Sequence, residues 1–134
     1  MMSHIVQHGT KLVEKADYVV QNCIVTVPAR WDKSKREQAV KACQDGGISG
    51  KIITIDEPLA AIMPFKDRFN GQKVNIMVFH FGGCTSEFSI CTNNNKKGEW
   101  KVQESVLVPF LGGHDINKIL VEDLLEKLRE EQPD

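Results

Sequence analysis

Residues Val74 to Thr92 most constrain what this chain can become. A run rich in β-branched and aromatic residues, Asn75-Ile76-Met77-Val78-Phe79-His80-Phe81, enters Gly82-Gly83-Cys84-Thr85 and returns at once through Ser86-Glu87-Phe88-Ser89-Ile90. Such side chains suit a pleated, partly buried surface. Strand, turn and strand are therefore expected here. The two glycines allow two readings. They supply positive φ at no steric cost, as a tight hairpin demands. They also let backbone N–H groups turn outward and approach an anion closely, with the Thr85 hydroxyl adding a donor, which suits a phosphate.

After this pair, Asn93 to Gly98 reads as a polar hairpin loop rich in turn formers, and Trp100 to Val108 as a third strand. A second Gly-Gly, Gly112-Gly113, precedes a helix. In it Ile116, Leu120, Leu124 and Leu128 recur every fourth residue, widened by Ile119, Val121 and Leu125, and this stripe is expected to pack on a sheet. Asp115 sits where a helix N-cap is expected, and Lys127 and Arg129 suit the C-terminal end of the dipole.

The half before residue 64 is built differently. Residues 5–16 suit an amphipathic helix, and Tyr18 to Val27 a buried strand closed by Pro28. Asp32 can cap a helix from Lys33 to Gln44 whose apolar face holds Ala39, Val40 and Cys43, with Gly46 and Gly47 ending it. Lys51 to Ile55 reads as a strand, and Glu57-Pro58 opens a short helix, Pro58 to Ile62. Residues 66–73 read as a polar loop and the best boundary. The predicted order is α-β-α-β-α, then β-β-β-α: a mixed α/β chain of two unlike halves.

Composition narrows the function classes. With 17 basic against 18 acidic residues in 134, the net charge of −1 argues against nucleic acid or anionic membrane as partner. A hydrophobic share of 41% argues against disorder. Apolar runs fall far short of the ~20 residues of a spanning helix. Cys23, Cys43, Cys84 and Cys91 form no Cys-x-x-Cys pair, so a zinc knuckle is not indicated. They read as reduced cysteines acting as small hydrophobes, which with no signal peptide suggests a reducing, cytoplasmic setting.

Several residues could carry chemistry, each with a plainer reading beside it. Glu57 could orient a water, or be a helix N-terminal acid favoured by the macrodipole. His80 could be a ligand or acid–base group, or a packed and hydrogen-bonded histidine. Glu87 could face the same cavity, or be a solvated strand residue. Cys84 could be a reactive thiol, although no partner constellation can be assigned to it. Gly112-Gly113-His114-Asp115 could be a second anion-facing helix entrance, or a loop with an ordinary cap.

The order of these blocks resembles the middle of the ATPase domain of the seventy-kilodalton heat-shock chaperones. The blocks are Asn22-Cys23-Ile24-Val25-Thr26-Val27-Pro28-Ala29, Ser34-Lys35-Arg36, Ile55-Asp56-Glu57-Pro58-Leu59-Ala60-Ala61, Phe81-Gly82-Gly83-Cys84-Thr85 and Leu111-Gly112-Gly113-His114-Asp115. The resemblance runs from about Leu12 to about Leu128. It implies a partial actin-like (ribonuclease H-like) ATPase fold, a mixed sheet with flanking helices. Residues 1–63 would belong to the first lobe with its bridging helix, 64–73 to a linker, and 74–134 to the second lobe.

By that resemblance Gly82, Gly83, Cys84 and Thr85 match the family's second phosphate loop, Cys84 replacing a third glycine and holding a place among the ATP- or ADP-binding residues. Glu57 matches the acid that positions the magnesium shell or attacking water. Glu87 matches the loop's second aspartate, a metal-site residue. His80 stands where the family has an aspartate that helps hold magnesium, and a neutral imidazole supplies no negative charge. Hydrolysis is therefore expected to be weak or absent. The family's first phosphate loop and catalytic lysine lie N-terminal to this segment; its adenosine motif and substrate-binding domain lie C-terminal. The expectation is a divergent chaperone ATPase segment, acting on unfolded clients with co-chaperones through a fuller chain. The alternative is a non-catalytic module docking on a partner protein or ribosome. Self-association is also expected, because half a cleft leaves apolar surface uncovered.

Overall fold

The computed structural model of the chain describes residues 1–69, 71–94 and 99–131. It divides into two units, Met1–Pro64 and Phe65–Asp134. The tip of the expected 93–98 loop lies outside the described residues.

In the first unit, α1 (Met2–Lys15), β1 (Asn22–Val27), α2 (Lys33–Asp45), β2 (Lys51–Asp56) and α3 (Glu57–Ile62) follow in chain order. β1 and β2 pair in parallel, from Asn22 opposite Lys51 to Val27 opposite Asp56. A parallel pair needs a crossover, and α2 supplies it. The Asp32 carboxylate accepts the Lys35 N–H at 2.9 Å, the expected N-cap. Val27, Ala39, Cys43, Ile48 and Ile62 form the buried apolar core.

β1 starts four residues later than Tyr18. Asp17 adopts a left-handed φ of 60°, the Tyr18 N–H turns back to the Val13 carbonyl at 3.2 Å, and Val19 is 81% exposed. β2 begins at Lys51, opposite Asn22, so the residues before Asn22 have no strand to pair with. The β-branched composition of 19–20 marks a capacity for strand, and pairing decides whether it is used.

Met63–Phe69 winds into a 3-10 helix where a polar loop was expected from residue 66. Phe69 sets its ring edge-on to Trp100, centroids 6.1 Å apart, which fixes the end of this turn on the sheet that follows. In the second unit, β3 (Asn75–Phe81), β4 (Thr85–Asn94) and β5 (Glu99–Pro109) form an antiparallel sheet in the order β3-β4-β5, and α4 spans Gly113–Glu131. A register shift at Ile90/Cys91 interrupts the β4–β5 ladder.

The faces of this sheet separate sharply. Phe79 pairs with Phe88 across β3–β4 and stacks on it at 4.5 Å; Val106 pairs with Phe88 from β5. Met77, Phe79, Phe81, Ile90 and Val106 lie on this apolar side and are at least partly open to solvent, Phe79 at 52%. Glu87, Ser89, Cys91 and Asn93 alternate with them and are buried. The α4 stripe departs from its expected role: no residue of the helix is buried, and Leu124 is 58% exposed. Four-residue spacing specifies that a helix has an apolar face; it does not say that the partner is close by. Among the described residues no helix is long and apolar enough to cross a membrane.

Candidate functional site: two interlocked glycine turns

The β3–β4 turn and the entrance of α4 form one structure. The Gly82 N–H donates to the Thr85 carbonyl at 2.8 Å and closes the turn. From α4, the Gly113 N–H donates to the Gly82 carbonyl at 3.0 Å and the His114 N–H to the Gly83 carbonyl at 2.7 Å. The Ser86 hydroxyl donates to the Leu111 carbonyl at 2.6 Å and ties the start of β4 to the same entrance. The chain reaches this crossing through Phe110, which adopts a left-handed φ of 56° at the end of β5.

These contacts explain the glycines differently from a hairpin need for positive φ. Among the described residues, glycine takes positive φ at Gly47 and Gly71, not at Gly82 or Gly83. What the turn requires is close approach. A Cβ on Gly112 would lie 2.7 Å from the Cys84 nitrogen and the Gly83 carbonyl, and one on Gly82 would lie 2.9 Å from the Thr85 oxygen. Gly83 has open space around its Cα. Gly83 and Cys84 are both exposed, and among the described residues their amides make no backbone hydrogen bond. Two neighbouring N–H groups on a turn braced from behind can accept an anion without rearrangement.

Asp115 is not the N-cap expected for α4. It is the third residue of the helix, and its carboxylate reaches back to accept the Gly112 N–H at 2.9 Å. That is the acidic half of a capping box, and it holds Gly112 against the turn.

Glu87 is buried, at 4% exposure, rather than solvated. Its Oε1 accepts hydrogen bonds from the hydroxyls of Ser105 and, at 3.5 Å, Ser89. Those hydroxyls also meet each other at 3.2 Å. A buried carboxylate needs donors, and the sheet supplies them from β4 and β5. His80 is the direct cross-strand partner of Glu87 and is itself exposed. Among the described residues no group of three His, Cys, Asp or Glu is arranged to hold a metal ion.

Glu57 belongs to the first unit, at the start of α3, half-buried, with Asp56 as the residue before the helix. Asp56 Oδ1 lies 2.6 Å from Arg36 Nη2. Arg36 also donates to the Trp31 and Ala29 carbonyls, at 2.9 and 3.1 Å, so one guanidinium fastens the turn before α2 to the end of β2. Sequence reasoning passed over Arg36 as a positioning residue and over Ser89 and Ser105 as partners of Glu87. The usable signal was period two: Glu87 and Ser89 share a strand face, and a carboxylate turned inward calls for hydroxyls beside it.

The family model described as Hsp70 protein matches residues 2–133. Heat shock protein hsp-6 of Caenorhabditis elegans is 35% identical over 114 residues, covering 84% of this chain and 17% of its own length. The chaperone protein DnaK of Mycoplasmopsis pulmonis is 29% identical over 129 residues, covering 96% of the chain and 20% of its own. That of Stenotrophomonas maltophilia is 31% identical over 116 residues, covering 84% and 18%. The chain thus spans about a fifth or less of the length of these curated relatives. With a family match over almost every residue, a mixed α/β fold and the two glycine turns locked together, the chain belongs to the Hsp70 family and is a segment of that family's actin-like nucleotide-binding domain.

Proposed function

We propose that this chain contacts the phosphates of ATP or ADP through Gly82, Gly83, Cys84 and Thr85, as part of a divergent chaperone ATPase acting in the cytoplasm. The amides of Gly83 and Cys84, two exposed residues on a turn braced by the Gly112 entrance and with no backbone hydrogen bond among the described residues, carry this reading. The thiol of Cys84 is exposed, so it can point away while its amide serves the anion. In the same reading Glu57 positions the attacking water, with the Arg36–Asp56 pair fixing the start of its helix.

Magnesium is a poor match for the residues present. It prefers hard oxygen ligands with waters retained. Here His80 offers an imidazole, and one oxygen of Glu87 is already engaged by Ser89 and Ser105. Hydrolysis by this chain is accordingly weak or absent, and nucleotide affinity does not depend on magnesium. Calorimetric titration of ADP and ATP, with and without the metal, tests this. Weak binding indifferent to magnesium supports the reading; tight magnesium-dependent binding of ATP contradicts it.

A second reading has its own observation. The exposed apolar face of β3–β5, from Met77 to Val106, suits a non-catalytic module that docks on another protein, a co-chaperone or ribosome, or on a second copy. His80→Asp separates the two. Magnesium-dependent gain of ATP affinity marks a damaged ATPase site; no gain, with partner or self-association intact, marks a docking module.

A further inference from the structure

Cys23 and Cys43 come from different elements of the first unit and meet where α2 packs on β1. Cys23 occupies an inward-facing position of β1, half-buried, on the same strand face as Val25 and the buried Val27. Cys43 lies on the buried face of α2, one turn beyond Ala39, at 1% exposure. The Cys23 side chain is a neighbour of the Cys43 thiol across this packing. Neither thiol is engaged in a disulfide.

We propose that Cys23 and Cys43 form a reversible intramolecular disulfide, a redox modification site that fastens α2 to β1. The oxidant is a hydroperoxide. Cys23 is the more accessible of the two and reacts first: its thiolate sulfur attacks a peroxide oxygen, the O–O bond breaks, and the other oxygen leaves as water (or alcohol) after taking a proton. Cys23 is then a sulfenic acid. The sulfur of Cys43 attacks the Cys23 sulfur, the S–O bond breaks, and the oxygen departs as water with the Cys43 proton. In sum, two thiols lose two protons and two electrons, and one hydroperoxide takes them up to become water and a second water or an alcohol. A thiol reductant reverses the change.

The burial of Cys43 sets the order and pace of these steps. Desolvation, then the neighbouring Cys23, raises the Cys43 thiol above its ordinary 9.0. Near neutral pH it stays protonated, so it acts as the resolving sulfur rather than the first attacker. Closure of the bond therefore quickens as pH rises.

Peptide mapping reads the outcome directly. Trypsin places Cys23 in residues 16–30, Cys43 in residues 42–51, and both Cys84 and Cys91 in residues 74–96. The reduced, folded full chain is treated with hydrogen peroxide, alkylated and digested without reductant. The expected product is peptide 16–30 joined to peptide 42–51 within one chain, at least about tenfold over any other cysteine pair because the two thiols are held together. Dithiothreitol returns both peptides, and in guanidinium the preference disappears. Cys43→Ser is expected to leave a Cys23 sulfenic acid that dimedone traps. The guanidinium comparison needs no variant to fold. A native product oxidised at Cys84 or Cys91 with peptides 16–30 and 42–51 unlinked, or linked only between chains, overturns the proposal.

Discussion

In the first unit the side chains withdrawn from water are Val27, Ala39, Cys43, Ile48, Pro58 and Ile62; in the second they are Ser86, Glu87, Ser89, Asn93 and Ser105, with Cys91 among them. One unit folds around an apolar centre between helix and strands. The other buries polar groups along its sheet and leaves an aromatic face open. The first arrangement draws its stability from area removed from water. The second depends on donors and acceptors meeting and on backbones touching at the glycines, so its tolerance to change is set by geometry rather than by volume. That contrast suits the proposed roles: a braced turn presents amides to an anion only if its backbone cannot drift.

The contrast can be broken by substitution. Trp31 belongs to the first unit and Trp100 to the second, so single-tryptophan forms report the unfolding of each in denaturant. The largest effect is expected from Gly112→Val. Its side chain would enter backbone 2.7 Å away, costing about 4 kcal/mol in the Trp100 transition and leaving that of Trp31 in place. Ile62→Ala is expected to cost about 3 kcal/mol, seen by Trp31, because Ile62 is 3% exposed in the apolar core. Glu87→Ala removes the buried acceptor shared by the Ser89 and Ser105 hydroxyls and is expected to cost about 2 kcal/mol, seen by Trp100. Gly83→Ala is expected to change stability by less than about 0.5 kcal/mol, since no atom lies within 4 Å of its new carbon and its φ is not positive. Equal costs at Gly112 and Gly83 would show that the turn is held by something other than close approach.

Much of the fold was legible because local rules and pairing agree. The strand–turn–strand of 75–90, the Asp32 cap and the strand–helix–strand order of the first unit all follow from β-branched runs, a capping acid and glycine stops. Legibility failed where a partner decides. Val19 has strand composition but nothing to pair with before Asn22. The leucines of α4 have helical spacing but no cover among the described residues. Asp115 has the right chemistry for a cap two positions into the helix, where it reaches backwards instead. At the site, the order of motifs placed Gly82–Thr85 and Gly112–Asp115 as separate features; only three dimensions show that the first turn needs the glycine at Gly112 in the second. Arg36 was silent because its three partners, Ala29, Trp31 and Asp56, lie up to twenty residues away.

Amide chemical shifts of the nitrogen-15-labelled chain, followed as ADP is added, test the central claim most directly. The account predicts saturable changes concentrated at Gly83, Cys84 and Thr85, with a smaller response at His114 through its bond to the Gly83 carbonyl, and the same pattern with or without magnesium. Unchanged loop amides at saturating nucleotide, or changes confined to other residues, would contradict it.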